Sequence, residues 1–355
     1  MFATKFTAKQ QNYLDDQMKK VSRSFALVVS YLEEPLREQL TAAYLICRVV
    51  DNIEDCTESF AWQQRRFAEF KRLLVDPAAA VSVLEAWGQL EWPGLTADEQ
   101  KLMTHRDGGL LWDIYNQLPE GARGIICRWT ADMADGMNRI VDPANSPLLV
   151  KRNSVQVLQS ADDYNRYCYY VAGTVGHLAT DLAVAHYDFT EETAAALDAT
   201  CEACGRGLQK TNIIKDFAKD VTRGISYLPI EWLQRVNYTP LALDGAGLAW
   251  KRRVLGDAIS DLRAATRYVL AIPLDAVGYR IASLLCLFPA YQTLLQAAER
   301  QANLFTGRHQ VKISRVTMIK CIRNAREMVH DNAGILAYSR AAEEQFDAYF
   351  LAAQN

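Results

Sequence analysis

The sequence has no basic region followed by an apolar run near its amino end, so no secretory signal is expected there. Its longest notable apolar stretch towards the other end, Ile281–Pro289, is too short to cross a bilayer, and a soluble, cytoplasmic protein is expected. An excess of either charge sign is lacking. Lys and Arg number 39 against 42 Asp and Glu, and the formal net charge of −3 gives no support to nucleic-acid binding. The eight cysteines, at 47, 56, 127, 168, 201, 204, 286 and 321, form no compact disulfide framework and suit a reducing compartment. Cys201-x-x-Cys204 has neither a second cysteine pair nor a nearby histidine, so helix packing accounts for it better than zinc or redox chemistry. Alternating β-branched runs are few and no period repeats, which disfavours an α/β barrel or a dinucleotide-binding sheet.

What remains is helical periodicity. With 355 residues, 50% of them apolar, the chain can bury a large core. The simplest architecture is an all-α, single-domain bundle spanning residues 1–355 around a central apolar cavity. An apolar segment, Ser24–Leu32, ends before Pro35, and apolar positions then recur at helical spacing from Leu36 to Cys56. A further amphipathic helix covers about 60–74, and Trp92-Pro-Gly94 reads as a break. Helices are expected over 98–117, 121–139 and 154–187, the last two separated by Asp142–Pro147. Thr190 and Glu192–Thr193 open another over 190–220, which Arg223–Pro229 breaks into an ordered loop. After a polar connection at 236–247, helical patterns return at about 249–271, 275–300 and 311–329, with a C-terminal packing helix at 333–353.

Two acidic clusters stand out in this setting, Asp51-Asn-Ile-Glu-Asp55 and Asp216-Phe-Ala-Lys-Asp220. In each, aspartates four residues apart share a helix face, where unpaired like charges repel. Divalent cations remove the repulsion, and hard oxygen ligands on two helices suit several Mg2+ ions carrying a diphosphate. Tyr44, Arg48, Asp51 and Asp55 follow in steps of four, three and four, close to one stripe. Arg48 can bind a diphosphate oxygen while magnesium bridges others to Asp51 and Asp55; it can equally form a salt bridge with Asp51 on a solvated helix. Gln209, Asn212, Asp216 and Asp220 make a matching stripe. Asn212 can orient a phosphate or a metal-bound water, and Lys215 and Lys219 can balance the diphosphate or simply pair with Asp216 and Asp220. Arg223 can close the anion site or cap the helix end.

Between the clusters lies Tyr164–Gly176, in which Gly173 and Gly176 cost helix propensity; close helix approach or room for a ligand would explain them. Tyr167 and Tyr170 can turn their rings to a cation or pack as ordinary aromatics with satisfied hydroxyls. His177 has no carboxylate or nucleophile arranged as a relay and reads as structural.

Ser22-Arg-Ser-Phe25, Tyr44–Asp55, Tyr167–Gly176 and Gln209–Asp220, continued by Arg223–Pro229, together resemble the squalene and phytoene synthase family, more closely its squalene synthase branch. The motifs span 22–229, and the likeness extends to about 325. The resemblance implies an isoprenoid-synthase-like bundle in which both clusters hold magnesium and the diphosphates of two allylic substrates. It places Ser22, Arg23, Ser24, Tyr44 and Arg48 around the first diphosphate region and Gln209 and Asn212 on the second active helix. Tyr167 matches the tyrosine of the first half-reaction. The wording from Tyr167 to Gly176 also resembles phytoene synthases, whereas Gln209-Lys-Thr-Asn212 looks more like squalene synthases. One departure is Lys219, where the squalene branch often has Glu before the last Asp of the second cluster. Val311–Arg315 resembles the basic region that helps NADPH use, with Lys312 and Arg315 as cofactor contacts. Leu285–Pro289 resembles the nearby cavity-lining segment. Neither contains a dinucleotide fingerprint.

The implied activity is Mg2+-dependent head-to-head condensation of two farnesyl diphosphate molecules through presqualene diphosphate, then NADPH-dependent reduction to squalene. The alternative is a related synthase that does not reduce, giving phytoene, dehydrosqualene or hydroxysqualene. A third reading is a noncatalytic assembly or lipid-binding factor, against which the intact carboxylate pairs argue. Peripheral attachment at the cytoplasmic membrane face is compatible with so oily a substrate, and no obligate protein partner is inferred.

Overall fold

Capping chemistry sets where several helices begin. Thr7 accepts from the Gln10 N–H while the Gln10 side chain accepts from the Thr7 N–H, and this reciprocal pair opens α1 (Ala8–Val21). Ser22 caps α2 (Arg23–Val29), and α3 (Leu36–Asp55), α4 (Phe60–Val75), α5 (Ala79–Trp87), α6 (Ala97–Leu102), α7 (His105–Gln117) and α8 (Glu120–Val141) follow. Strands β1 (Leu149–Arg152) and β2 (Val155–Leu158) precede α9 (Ala161–Cys168), a π-helical turn (Tyr169–Gly173), α10 (Thr174–Tyr187) and α11 (Glu191–Thr222). Strand β3 (Ile225–Ser226), α12 (Ile230–Gln234), α13 (Leu248–Ala271), α14 (Val277–Glu299), α15 (Arg315–Glu327) and α16 (Asn332–Ala352) complete the chain. Among the described residues the fold is all-α apart from one small sheet. This computed structural model describes residues 6–142, 149–152, 155–234, 243, 246–301, 304–305 and 310–353; all of the Asp142–Pro147 separator after Asp142 and most of the 236–247 connection lie outside them.

The residues group into two compact units, Met1–Asn145 with His177–Phe189, and Ser146–Gly176 with Thr190–Asn355. In the first, α3 is central: α1, α2, α4, α6, α7 and α8 all pack against it, and most of its side chains are buried. In the second, α11 lies along α13, and α14 packs on α11, α13, α15 and α16. The sheet belongs to the second unit. Its central strand β2 runs antiparallel to β1, pairing Val157 with Val150, and parallel to β3, pairing Val157 with Ser226.

Several expected boundaries change. The helix expected from 154 starts only at Ala161, because 155–158 is a strand and Ser160 caps the helix by accepting from Asp163 N–H. It is then interrupted by the π-helical turn. The expected helix at 98–117 is two, since Thr104 caps a new start after Met103. Ile281–Pro289 lies within the longer α14, which by length and composition could cross a membrane; 67% of its apolar window is buried inside the protein, which marks it as a core helix. Arg280, fully buried at its start, donates to the carbonyls of Val269, Ile272 and Val329 and to Asn332 Oδ1, closing the end of α13.

The π-helical turn packs directly on α11, and glycine makes this possible. A Cβ on Gly205 would sit 2.0 Å from the Ala172 carbonyl oxygen, and one on Gly176 would sit 2.3 Å from that of Cys201. Propensity alone makes Ala better than Gly in a helix by about 0.5–1 kcal/mol. The clash reverses the sign, and Gly205→Ala should destabilise by about 1–3 kcal/mol. A urea unfolding midpoint that stayed level or rose would contradict this close approach.

Candidate active site

Val49, Val50 and Ile53 are fully buried, which fixes the roll of the last turns of α3 and leaves Arg48, Asp51, Glu54 and Asp55 partly exposed. Tyr44 stacks on Phe25, with centroids 4.3 Å apart at 16°, joining the start of α2 to this stripe. Ser22 Oγ accepts from Phe25 N–H at 3.2 Å as the cap of α2, while Arg23 and Ser24 stand exposed on its first turn. Arg48 Nη1 lies 3.4 Å from Asp51 Oδ2, and Nη2 donates to Tyr44 Oη at 3.5 Å. The ion pair with Asp51 is therefore formed, but with side chains only 23% and 24% exposed it is not a solvated surface pair. Arg48 Nε is buried without a hydrogen-bond partner.

Burial pushes the Asp51 carboxyl up to about 6; Arg48 opposes the rise, and Asp55 and Glu99 add to it. Burial also works against the charge of Arg48, but Asp51, Tyr44 and Asp55 outweigh it and hold the guanidinium protonated. Both aspartates stand at the carboxyl end of α3, where the helix dipole disfavours further negative charge. An oxygen-only donor set in a place that favours positive charge fits a hard divalent cation, with Asp51 and Asp55 as ligands.

Groups from elsewhere in the same unit hold the end of α3, and none was evident as a site residue in the sequence. Cys56 leaves the helix in an extended conformation, φ −66° and ψ 127°, rather than the left-handed one of a Schellman cap. Gln63, buried on α4, donates through Nε2 to the carbonyls of Ile53, Glu54 and Cys56 at 3.1, 2.9 and 2.9 Å. Asn52 Nδ2 donates to the Glu99 carbonyl at 3.1 Å. The break at Trp92–Gly94 is a third support. Gly94, at φ +95°, comes so close that a Cβ would lie 3.0 Å from the Asp55 carbonyl oxygen, and Thr57 N–H donates to the Pro93 carbonyl at 2.9 Å.

In the second unit α11 buries Ile213, Ile214, Phe217 and Ala218, and Gln209, Asn212, Asp216 and Asp220 lie outside that buried set. Lys215 Nζ is 3.0 Å from Asn212 Oδ1 and 3.2 Å from Asp216 Oδ2, so it links two members of the stripe. Lys219 and Arg223 are exposed. The Arg223 N–H closes the helix on the carbonyls of Lys219 and Asp220, and Gly224 at φ +83° turns the chain into β3. Asp216 and Asp220, like the first pair, sit at the carboxyl end of their helix. Tyr167 is buried and stacked on Tyr227, centroids 4.3 Å apart at 16°, while Tyr170 is half-buried beyond the start of the π-helical turn. Lys312 and Arg315 are exposed on either side of Ser314, which caps α15. His177, in the first unit, stacks on Trp129 with ring centroids 4.5 Å apart.

A buried charge network beside the second stripe escaped the sequence reading. Lys210, 2% exposed, lies 2.7 Å from Asp257 and 2.8 Å from Asp261, and Arg206 joins Asp261 at 3.2 Å. Asp257 and Asp261 have the same four-residue spacing as the two acidic clusters, yet both pair with the buried Lys210.

The squalene/phytoene synthase family pattern matches residues 18–317, which contain both stripes, Tyr167 and the Lys312–Arg315 segment. The chain belongs to the squalene/phytoene synthase family. This family member is 27% identical over 228 residues to the squalene synthase of Eremothecium gossypii, covering 60% of this chain and 45% of that one. It is 31% identical over 224 residues to the squalene synthase of Saccharomyces cerevisiae, covering 63% and 46%. The chain thus spans about half the length of the curated relatives it matches. A ligand complex of TcSQS aligns over 96% of this chain and 92% of its own, at 21% identity and a TM-score of 0.78, a likeness of fold.

The Asp51 carboxyl gives a signed pH dependence. Its folded value of about 6 lies above the ordinary 3.8, so the folded state binds that proton more tightly. On this group's account, stability is greatest below its ordinary value and declines as pH rises through about 6. Without divalent cations, Asp51→Asn should raise the thermal midpoint by a few degrees at about pH 7.5 and flatten the profile between about pH 4 and 6. A midpoint and profile identical to wild type would remove the electrostatic strain assigned to Asp51.

Proposed function

We propose that the protein is an Mg2+-dependent enzyme that joins two farnesyl diphosphate molecules head to head through presqualene diphosphate and reduces the product to squalene with NADPH. The observation that carries this reading is one device used twice: an Asp-x-x-x-Asp pair at the carboxyl end of α3 and again of α11, within the span that matches the family. The squalene synthases among its relatives and the Gln209–Asn212 wording support the squalene branch.

On this reading Asp51 with Asp55, and Asp216 with Asp220, each hold magnesium, which when bound would stabilise a departing diphosphate as a Lewis acid. Arg48, kept charged and oriented by Tyr44, binds diphosphate oxygens, as does Lys215. Ser22, Arg23, Ser24, Gln209, Asn212 and Arg223 complete the anion contacts. Tyr167, fixed by its stack on Tyr227, offers an aromatic face to an allylic cation. Buried apolar side chains such as Leu285 and Phe288 exclude the water that would capture that cation. The residues offered to NADPH, Lys312 and Arg315, are two exposed cations beside the amino end of α15, a position that suits a phosphate; the bound cofactor would supply the hydride.

A time course of purified protein with farnesyl diphosphate and Mg2+, run with and without NADPH, tests the reading. Diphosphate release and presqualene diphosphate should come first, and squalene should form only with NADPH. Dehydrosqualene or hydroxysqualene formed equally without NADPH would favour a non-reducing synthase, and no turnover of farnesyl or geranylgeranyl diphosphate would refute an enzyme. Replacing Lys312 and Arg315 together by Ala should lower squalene formation more than farnesyl diphosphate consumption. Equal losses would remove both residues from the cofactor site.

A further inference from the structure

The carboxyl end of α3 carries the first acidic pair, but it is not closed by its own backbone in the usual way. Cys56 turns outward in an extended conformation, and the carbonyls of Ile53, Glu54 and Cys56 converge on one buried side-chain amide, Nε2 of Gln63. Three carbonyl dipoles at a helix end add negative potential beside Asp55 and, left without donors, fray the last turn. Gln63 comes from the neighbouring helix α4 and is only 6% exposed, so its amide is held by packing rather than by solvent.

We propose that Gln63 is a positioning residue for the first metal-binding cluster: its amide locks the last turn of α3 so that Asp55 stays in register with Asp51. Gln63 touches neither substrate nor metal. It acts through the backbone of residues 53–56, as an outer group orients a metal ligand. The inference rests on the magnesium role proposed for Asp51 and Asp55, and its test separates the two.

Mg2+ binding to the full-length protein is measured by titration calorimetry, with no substrate present, for wild type, Gln63→Met, Asp55→Asn and the double variant. Gln63→Met keeps length and apolar packing but removes both donors. It should weaken Mg2+ binding about tenfold in the wild-type background and leave it almost unaltered in the Asp55→Asn background. A purely structural residue would lower the thermal midpoint without this coupling. Unchanged Mg2+ affinity in folded Gln63→Met, or an equal loss in both backgrounds, would overturn the inference. Gln63→Asn, which keeps the amide but shortens its reach, serves if Gln63→Met does not fold; an intermediate loss supports the role and wild-type affinity refutes it. If Asp55→Asn itself left Mg2+ binding unchanged, the metal reading of the cluster would fail instead.

Discussion

Two carboxylates four residues apart at the carboxyl end of a helix repel each other and are opposed by the helix dipole. This family member builds that arrangement twice, on α3 and on α11. Such a position persists only if surrounding structure imposes it, and the first unit shows how. Buried Val49, Val50 and Ile53 prevent α3 from rolling, Gln63 and Asn52 tie down its last turns, and Gly94 lets a neighbouring turn press against Asp55. The consequence appears in Asp51, whose carboxyl is pushed up to about 6 by burial despite a nearby guanidinium. Stability is given up locally to keep a place where positive charge is favoured.

The same chain also shows the opposite treatment of an identical spacing. Asp257 and Asp261 stand four apart on α13, but Lys210 is set between them and Arg206 shares the second. That network, which Glu202 joins through Arg206, holds α11 against α13. The contrast lies in the basic partner: one buried lysine stands within 2.8 Å of both Asp257 and Asp261, whereas Arg48 stands 3.4 Å from Asp51. The buried Arg280 and Gln63 likewise show one capping principle in the two units, a side-chain donor inserted where helix carbonyls would otherwise be left open.

Much of this was legible in the sequence. The long helices follow from apolar spacing, and α3 was readable almost to the residue because ten of its fourteen buried positions are apolar. Both acidic stripes and Tyr167 were also visible, since helix periodicity and motif wording agree there. The failures have local causes. The strand at 155–158 is only four residues long, too short for a period, although the Ser160 and Asp163 cap that ends it was present in the sequence. The π-helical turn packs closely against Gly205 on α11, a partner distant in sequence that no local pattern announces. Gln63 and Lys210 are polar residues whose roles come from partners on other helices, and no spacing rule encodes those partners.

The central claim is that both aspartate pairs bind Mg2+ together with an allylic diphosphate. Calorimetry with a nonhydrolysable farnesyl thiodiphosphate tests it most directly, using wild type, Asp51→Asn with Asp55→Asn, and Asp216→Asn with Asp220→Asn, each checked for native circular dichroism. Binding by wild type should require Mg2+, and each double substitution should weaken it. Binding that is indifferent to Mg2+ and survives the loss of both pairs would contradict the account.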